Sequence, residues 1–261
     1  MKPLASFGAD EARRLRGVLF DLDDTVLTHG QLTRAAYGAI WDLHDAGLAA
    51  VAVTGRPSGW GELLARQWPV AGCVTENGAV HLVRESAGVV VRDACDAAER
   101  AARRVRLDAL VARVRTVVPE AVTTEDTHLR VSDAAWDVAE RTSLPPEAVR
   151  RVVREIEAAG ARWSLSSVHL HATFDTDDKA SGAVRFCARE LGEDPGAVLA
   201  RYAFVGDSGN DAACFNAFRT TFGVANVRAS LGRIGVCPAY VARRPMGEGF
   251  AEVVAAILRH R

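Results

Sequence analysis

The chain has 261 residues, 49% of them hydrophobic and 25% charged, with a formal net charge of −1. That is ordinary globular composition, long enough for one large domain or two modest ones. There is no basic excess of the kind that binds nucleic acid or an anionic membrane, and no apolar run of about 18 residues that would span a bilayer.

Residues 1–17 lack the apolar stretch of a signal peptide and read as a short, partly charged extension, so a cytoplasmic protein is expected. Val18–Phe20 is a strand-like apolar run that stops abruptly at Asp21, Asp23 and Asp24, three acids in four positions. Carboxylates this close raise one another's pKa unless something positive sits among them. Thr33–Ala46 has helical spacing of Ala36, Ile40 and Leu43, with Gly47 as a stop. Ala49–Val53 is a second apolar run, ended by Thr54-Gly55-Arg56. A short helix follows over Trp60–Trp68, then a third strand over 72–80 that turns into a hairpin at Asn77-Gly78. Strand and helix alternating with short joints predict a parallel sheet covered on both faces.

The middle of the chain changes character. Asp96–Val118 reads as a long helix whose arginines, mixed with Glu99 and Asp108, suggest a solvated face rather than a nucleic-acid patch. Thr127–Val131 reads as a strand. Pro145 and Pro146 open a helix that Gly160 ends. Residues 161–174 alternate and fold back at Ser166-Ser167. On one face stand Trp163, Leu165, Leu170 and Ala172. On the other stand Arg162, Ser164, His169, His171 and Thr173, which Arg130 could join. That polar face is either the wet side of an antiparallel sheet or a roof that reads a polar substrate. His169 and His171 have no third ligand at a suitable spacing to make a metal site.

After Asp175 the alternation returns. Lys179–Leu191 is helical, residues 202–211 are a strand ending in acids, Asp211–Ala217 starts a helix, Thr221–Asn226 holds another short strand, and Gly249–Arg259 closes as an amphipathic helix. The predicted fold class is α/β, a Rossmann-like three-layer core with a mostly parallel sheet. The core comprises residues 1–82 and 176–261, with an inserted α+β cap at 83–175. The five cysteines are widely spaced without a C-x-x-C pair and read as free thiols.

In a parallel α/β sheet the C-terminal strand ends share one edge, where ligands bind. Asp21, Asp23, Thr54, Asp207 and Asp211 are therefore expected to converge. Hard oxygen ligands in small number, with room for water and phosphate oxygens, suit Mg²⁺. Lys179 can add a further positive charge.

The ordered set "DLDDT" (21–25), "TGR" (54–56), Lys179 and "GDSGND" (206–211) resembles the four motifs of the haloacid dehalogenase (HAD) superfamily. An insert between the second and third motifs is similar to a C2-type cap. "TENGA" (75–79) and "GEGFAEVV" (247–254) resemble the Cof-like, subclass IIB branch with its sugar-phosphate phosphatases. The resemblance implies Asp21 as nucleophile, Asp23 as general acid and base, and Thr54 and Lys179 as ligands of the phosphoryl group. It implies Mg²⁺ on Asp21, the Asp23 carbonyl and Asp207, with Asp211 as ligand or anchor. Gly55, Arg56, Glu76, Asn77 and Asn210 fall at the same mouth, as phosphate or substrate contacts, with Glu76 and Asn77, close to the cap hinge, readable equally as hinge or turn residues. Arg130, Arg162, His169 and His171 are cap candidates for substrate binding. Asp24 stands where cap-bearing relatives usually have glycine and reads as a turn residue.

The function expected is Mg²⁺-dependent hydrolysis of a small phosphomonoester, a sugar phosphate, through an aspartyl-phosphate. A phosphomutase using the same intermediate and a non-enzymatic phosphate-binding regulator are the alternatives. The expected partner is a phosphorylated metabolite, with neither nucleic acid nor membrane, and the chain would act as a monomer or homodimer.

Overall fold

The structure is a computed structural model that describes residues 1–232 and 235–261. The chain opens with β1 (Lys2–Pro3), α1 (Ala9–Ala12), β2 (Gly17–Phe20), β3 (Leu27–Thr28), β4 (Gln31–Leu32), α2 (Arg34–Asp45), β5 (Ala49–Val53) and α3 (Ser58–Gln67). It continues through β6 (Gly72–Thr75), β7 (Val80–Glu85) and β8 (Gly88–Asp93). The cap follows as α4 (Ala97–Val117), β9 (Asp133–Asp137), α5 (Pro146–Ala158), β10 (Arg162–Leu165) and β11 (His169–Thr173). The return segment is α6 (Lys179–Glu190), α7 (Pro195–Arg201), β12 (Tyr202–Gly206), α8 (Ala212–Ala217), β13 (Thr220–Gly223), α9 (Val227–Ser230), β14 (Tyr240–Val241) and α10 (Met246–Arg259).

The main sheet has nine strands among the described residues, in the order β1-β14-β13-β12-β2-β5-β6-β7-β8. Pairing is parallel as far as β6 and antiparallel through β7 and β8. β2 lies at the middle and is buried along its whole length, which is why it reads as an unbroken apolar run. One face packs Val18 and Phe20 against α2, α3 and α10; the other packs Leu19 against α6, α7 and α8. This is the three-layer α/β architecture anticipated.

Three local expectations are corrected. The first segment is not a loose extension. Lys2 and Pro3 pair with β14, and Leu4, Phe7, Ala12 and Leu15 are buried. Phe7 stands edge-on to Phe222 at 5.1 Å and to Tyr240 at 5.4 Å. Its apolar residues are scattered over a turn and two short elements, so no single period betrays them. Residues 125–129 form a 3₁₀ turn rather than a strand, with the Thr127 hydroxyl donating to the Thr124 carbonyl at 2.7 Å. The strand is β9 instead. Its aspartates and alanines are poor strand formers, and it is extended because β11 pairs with all five of its residues. Finally, the main sheet runs on through β7 and β8 to Asp93, so the expected boundary at residue 82 falls inside a core strand.

The cap sheet, β10-β11-β9, packs Ala134, Trp136, Leu170 and Ala172 against Leu107, Leu110 and Val114 of α4 and Val152 and Ile156 of α5. Its other face lies over the C-terminal edge of the main sheet, where Asp133, His169 and His171 are buried, Ser164 and Thr173 are half-buried, and Arg162 at the start of β10 is exposed. The arginines at the start of α4 are not simply solvated. Arg100 forks onto Asp93 at the end of β8, where the chain leaves the core (2.6 Å), and onto Asp175 after β11, where it returns (2.7 Å), and Arg103 also reaches Asp175. One arginine thereby ties together both connections between cap and core. The cysteines are free, with Cys73, Cys187 and Cys214 buried. No helix among the described residues is long and apolar enough to cross a membrane.

Candidate active site

Four chain segments meet at the C-terminal edge of the sheet. Asp21 follows β2, and its N–H donates to the Val205 carbonyl of β12 at 2.9 Å. Asp207 follows β12, and Asp211 closes the next turn. Asp21, Asp207 and Asp211 each bring a carboxylate oxygen within 4.8 Å of the others. Lys179 Nζ donates to Asp21 at 2.5 Å and to Asp211 at 2.7 Å, with all three side chains essentially buried. One ammonium thus faces three carboxylates. Burial pushes the Asp21 carboxyl up to about 8 against the pull of Lys179, with Asp211 and Asp23 adding to the rise. Burial, with Asp211, Asp21 and Asp24 adding to the rise, also holds Asp207 well above the usual carboxylate range.

The donor set fits a hard divalent cation: carboxylate oxygens, close together, buried and short of positive charge. Asp21 keeps the freest oxygen, since only its Oδ1 accepts a side-chain hydrogen bond, from Lys179, whereas Asp207 accepts from Thr25 Oγ1 at 3.2 Å and from Asn226 Nδ2 at 2.9 Å. Asp211 Oδ1 already accepts from Lys179, and Oδ2 accepts from the N–H groups of Asp207 (2.9 Å) and Ser208 (3.1 Å).

Close backbone approaches set these positions. A Cβ on Gly206 would lie 2.5 Å from Asp211 Oδ2, so only glycine lets that carboxylate turn back under the loop. Lys179 is the first residue of α6, held by a reciprocal cap between Asp178 and Ser181. The helix is pressed against the turn after β6, where a Cβ on Gly182 would sit 2.3 Å from Gly78 Cα. Asn226 was not singled out in the sequence, yet its Nδ2 donates to Asp207 Oδ2 and to the Asp24 carbonyl, both at 2.9 Å. The only local sign of it is an asparagine just after a strand.

Asp24 takes φ +55°, the left-handed region where glycine is easiest and aspartate is tolerated. It has a turn role: Asp24→Gly should change kcat/KM by less than about twofold, while Asp24→Val should lower stability by about 1–2 kcal/mol. Steady-state kinetics and a denaturant melt check both; a tenfold kinetic loss in the glycine variant would give Asp24 a part in the chemistry.

Thr54 is buried after β5, with Oγ1 accepting from the Arg56 N–H at 3.1 Å. Arg56 forks onto Asp23 (Nε to Oδ2 2.9 Å, Nη2 to Oδ1 2.7 Å) and lies 4.5 Å over the Trp60 ring. Its outer side meets Glu140 of the cap at 2.6 Å. Neither Glu140 nor Asp133 stood out in the sequence. Asp133 pairs with Arg130 at 2.8 Å and with His171 Nδ1 at 2.9 Å. Despite burial, those partners hold its carboxyl down to about 2.

The other expected residues separate by environment. Glu76 is buried and accepts from the N–H groups of Ser58, Val131, Ser132 and Asp133, which docks the cap onto the core. Arg130 has no exposed side-chain surface and donates to the Gly55 carbonyl at 3.0 Å. His169 is buried against Glu140 at 2.7 Å. Arg162 donates to the carbonyls of Asp175, Thr176 and Asp177 in the second linker. His171, Arg162, Asn77, Asn210 and Lys179 line a cleft between cap and core, and Asn210 Nδ2 reaches Asn77 Oδ1 at 3.3 Å. A larger cavity of about 580 Å³ adjoins it, lined by Trp163, Leu165 and several serines of the cap hairpin and the Ser208 turn.

No family model matches the chain, and no curated protein matches it. Solved structures do. A Thermoplasma acidophilum protein, 0175, superposes with a TM-score of 0.71 at 17% identity, over 94% of this chain and 98% of that one. The sucrose-phosphatase of Synechocystis sp. PCC6803, solved with sucrose and phosphate, gives 0.65 at 16% identity, over 93% and 98%. BT1666 of Bacteroides thetaiotaomicron, a phosphatase of the HAD enzyme superfamily, gives 0.61 at 18% identity, over 94% and 95%. Core and cap together thus have the fold of HAD phosphatases, along nearly their whole length.

Proposed function

We propose that the chain is a Mg²⁺-dependent phosphomonoester hydrolase acting on a small sugar phosphate through an aspartyl-phosphate on Asp21. The observation that carries this reading is the Asp21 carboxylate at the strand edge, 2.5 Å from the buried Lys179 ammonium, with Asp23 two residues on. Asp21 attacks phosphorus, and Lys179 offsets the charge of the entering oxygens. Thr54 and the backbone N–H groups of its turn bind the phosphoryl oxygens. Asp23 gives a proton to the departing alkoxide and takes one from the water that hydrolyses the intermediate. Mg²⁺, held by Asp21, the Asp23 carbonyl and Asp207, would neutralise the repulsion between nucleophile and phosphate. Asp211 anchors both Lys179 and the Asp207 turn. The serine-lined cavity suits a hydroxylated leaving group, and the fold shared with a sucrose-phosphatase agrees with that chemistry.

The test is a phosphate-release screen over glucose 6-, mannose 6-, sucrose 6- and trehalose 6-phosphates, with Mg²⁺ or with a chelator. Phosphate should appear only with Mg²⁺, and without an isomerised sugar phosphate. Mg²⁺ at 100 times its Kd should also stabilise the protein by about 2.7 kcal/mol in a thermal melt, and this gain should vanish in Asp207→Asn. Isomerised product without phosphate would make the chain a mutase instead.

A further inference from the structure

Arg56 bridges two carboxylates from different parts of the molecule. Its Nε and Nη2 grip Asp23 in the core, and the same Nη2 meets Glu140 Oε1 in the cap at 2.6 Å. Glu140 is itself fixed. Its Oε2 lies 2.7 Å from His169 Nε2 on β11. Its loop is pinned by Asp137, whose carboxylate accepts from the N–H groups of Glu140 (2.8 Å), Arg141 (3.0 Å) and Thr142 (3.2 Å). The guanidinium is sandwiched between this acid and the Trp60 face, with only 4% of the Arg56 side chain exposed. A bidentate arginine holds a carboxylate in one plane, but its own long stem must be held from elsewhere. Here the hold comes from the cap. Lifting the cap would remove Glu140 and His169 together and leave the Arg56 guanidinium with Asp23 and the Trp60 face alone.

We propose that Glu140 is a positioning residue: through Arg56 it orients the Asp23 carboxyl, so that proton delivery to the leaving group is competent only when the cap is closed. This rests on the phosphatase reading above. In the step concerned, the Asp21 oxygen forms its bond to phosphorus as the ester P–O bond breaks. The proton of the Asp23 carboxyl passes to the departing oxygen. Glu140, held between Arg56 and His169, acts through the guanidinium on the geometry of that transfer.

The test compares leaving groups. An alkoxide needs the proton, whereas p-nitrophenolate departs without one, so the two esters separate proton delivery from every other contribution. The quantity read is kcat/KM, which covers the steps up to departure of the leaving group and omits hydrolysis of the aspartyl-phosphate. In Glu140→Gln, kcat/KM for the fastest of the four sugar phosphates should fall about tenfold or more, within the range of acid catalysis, and for p-nitrophenyl phosphate less than about threefold. Glu140→Asp, which keeps the charge, should recover part of the loss on the sugar phosphate alone. Equal losses on both esters in both variants, or no loss on either, would overturn the role of Glu140. Wild-type protein that hydrolyses none of these esters with Mg²⁺ would overturn the phosphatase reading itself, and this inference with it.

Discussion

Asp21→Asn should abolish phosphate release, by about 10⁴-fold or more, while leaving the chain folded. The amide cannot form an acyl phosphate, and no other carboxylate reaches the same place: Asp207 and Asp211 are turned into the loop by Asn226 and by backbone N–H groups. The same variant should alter the pH dependence of stability. With chelator present, the wild-type Asp21 carboxyl sits at about 8, far above its unfolded value of 3.8. The folded state therefore binds a proton that the unfolded state has already lost. Its contribution to stability is complete below the unfolded value and disappears as the pH rises towards 8. Metal-free wild type should thus melt lower at pH 8 than at pH 6, and Asp21→Asn should flatten that slope. Denaturant melts at the two pH values, paired with phosphate assays, measure both effects. Residual activity above about a hundredth of wild type would remove Asp21 from the nucleophile role.

Lys179→Met should lose activity to a similar degree but, unlike Asp21→Asn, should also destabilise the fold, by about 3–5 kcal/mol at neutral pH. The ammonium is buried and is the direct partner of both Asp21 and Asp211. Those carboxylates hold its pKa above the normal range against the cost of burial. Removing it leaves buried acids facing one another without a counter-charge, and they relieve the repulsion by taking up protons. The variant should therefore be steeply pH-dependent, recovering stability as the pH falls. Mg²⁺ should restore part of the stability but not the activity. A Lys179→Met protein as stable as wild type at pH 8 in chelator would show that the ammonium does not balance this cluster.

The acids, Thr54 and Lys179 were legible in the sequence because each ends a strand or begins a helix. The short apolar runs Val18–Phe20, Ala49–Val53 and Ala203–Val205 announce those ends directly. The cap hairpin was legible for a similar reason, since period-two alternation identifies its two faces. Other positions carried no local signal. β9 is extended through pairing rather than propensity, and it brings in Asp133. Glu140 lies in a loop whose shape comes from the Asp137 carboxylate. Asn226 is 202 residues from the Asp24 carbonyl that it holds. Arg130 looked like a substrate contact and Glu76 like a substrate contact or a hinge residue, and the charge of both is engaged in joining cap to core.

The sequence by itself determined the layered α/β architecture and the strand ends at which the acids collect, because periodicity and strand termination are local properties of the chain. The tertiary structure alone decided which partner each charge receives. Arg56 reaches both Asp23 and Glu140, and Lys179 reaches both Asp21 and Asp211, across separations of 32 to 158 residues. Buried ion pairs are set by where folded elements meet, and no local pattern encodes that meeting.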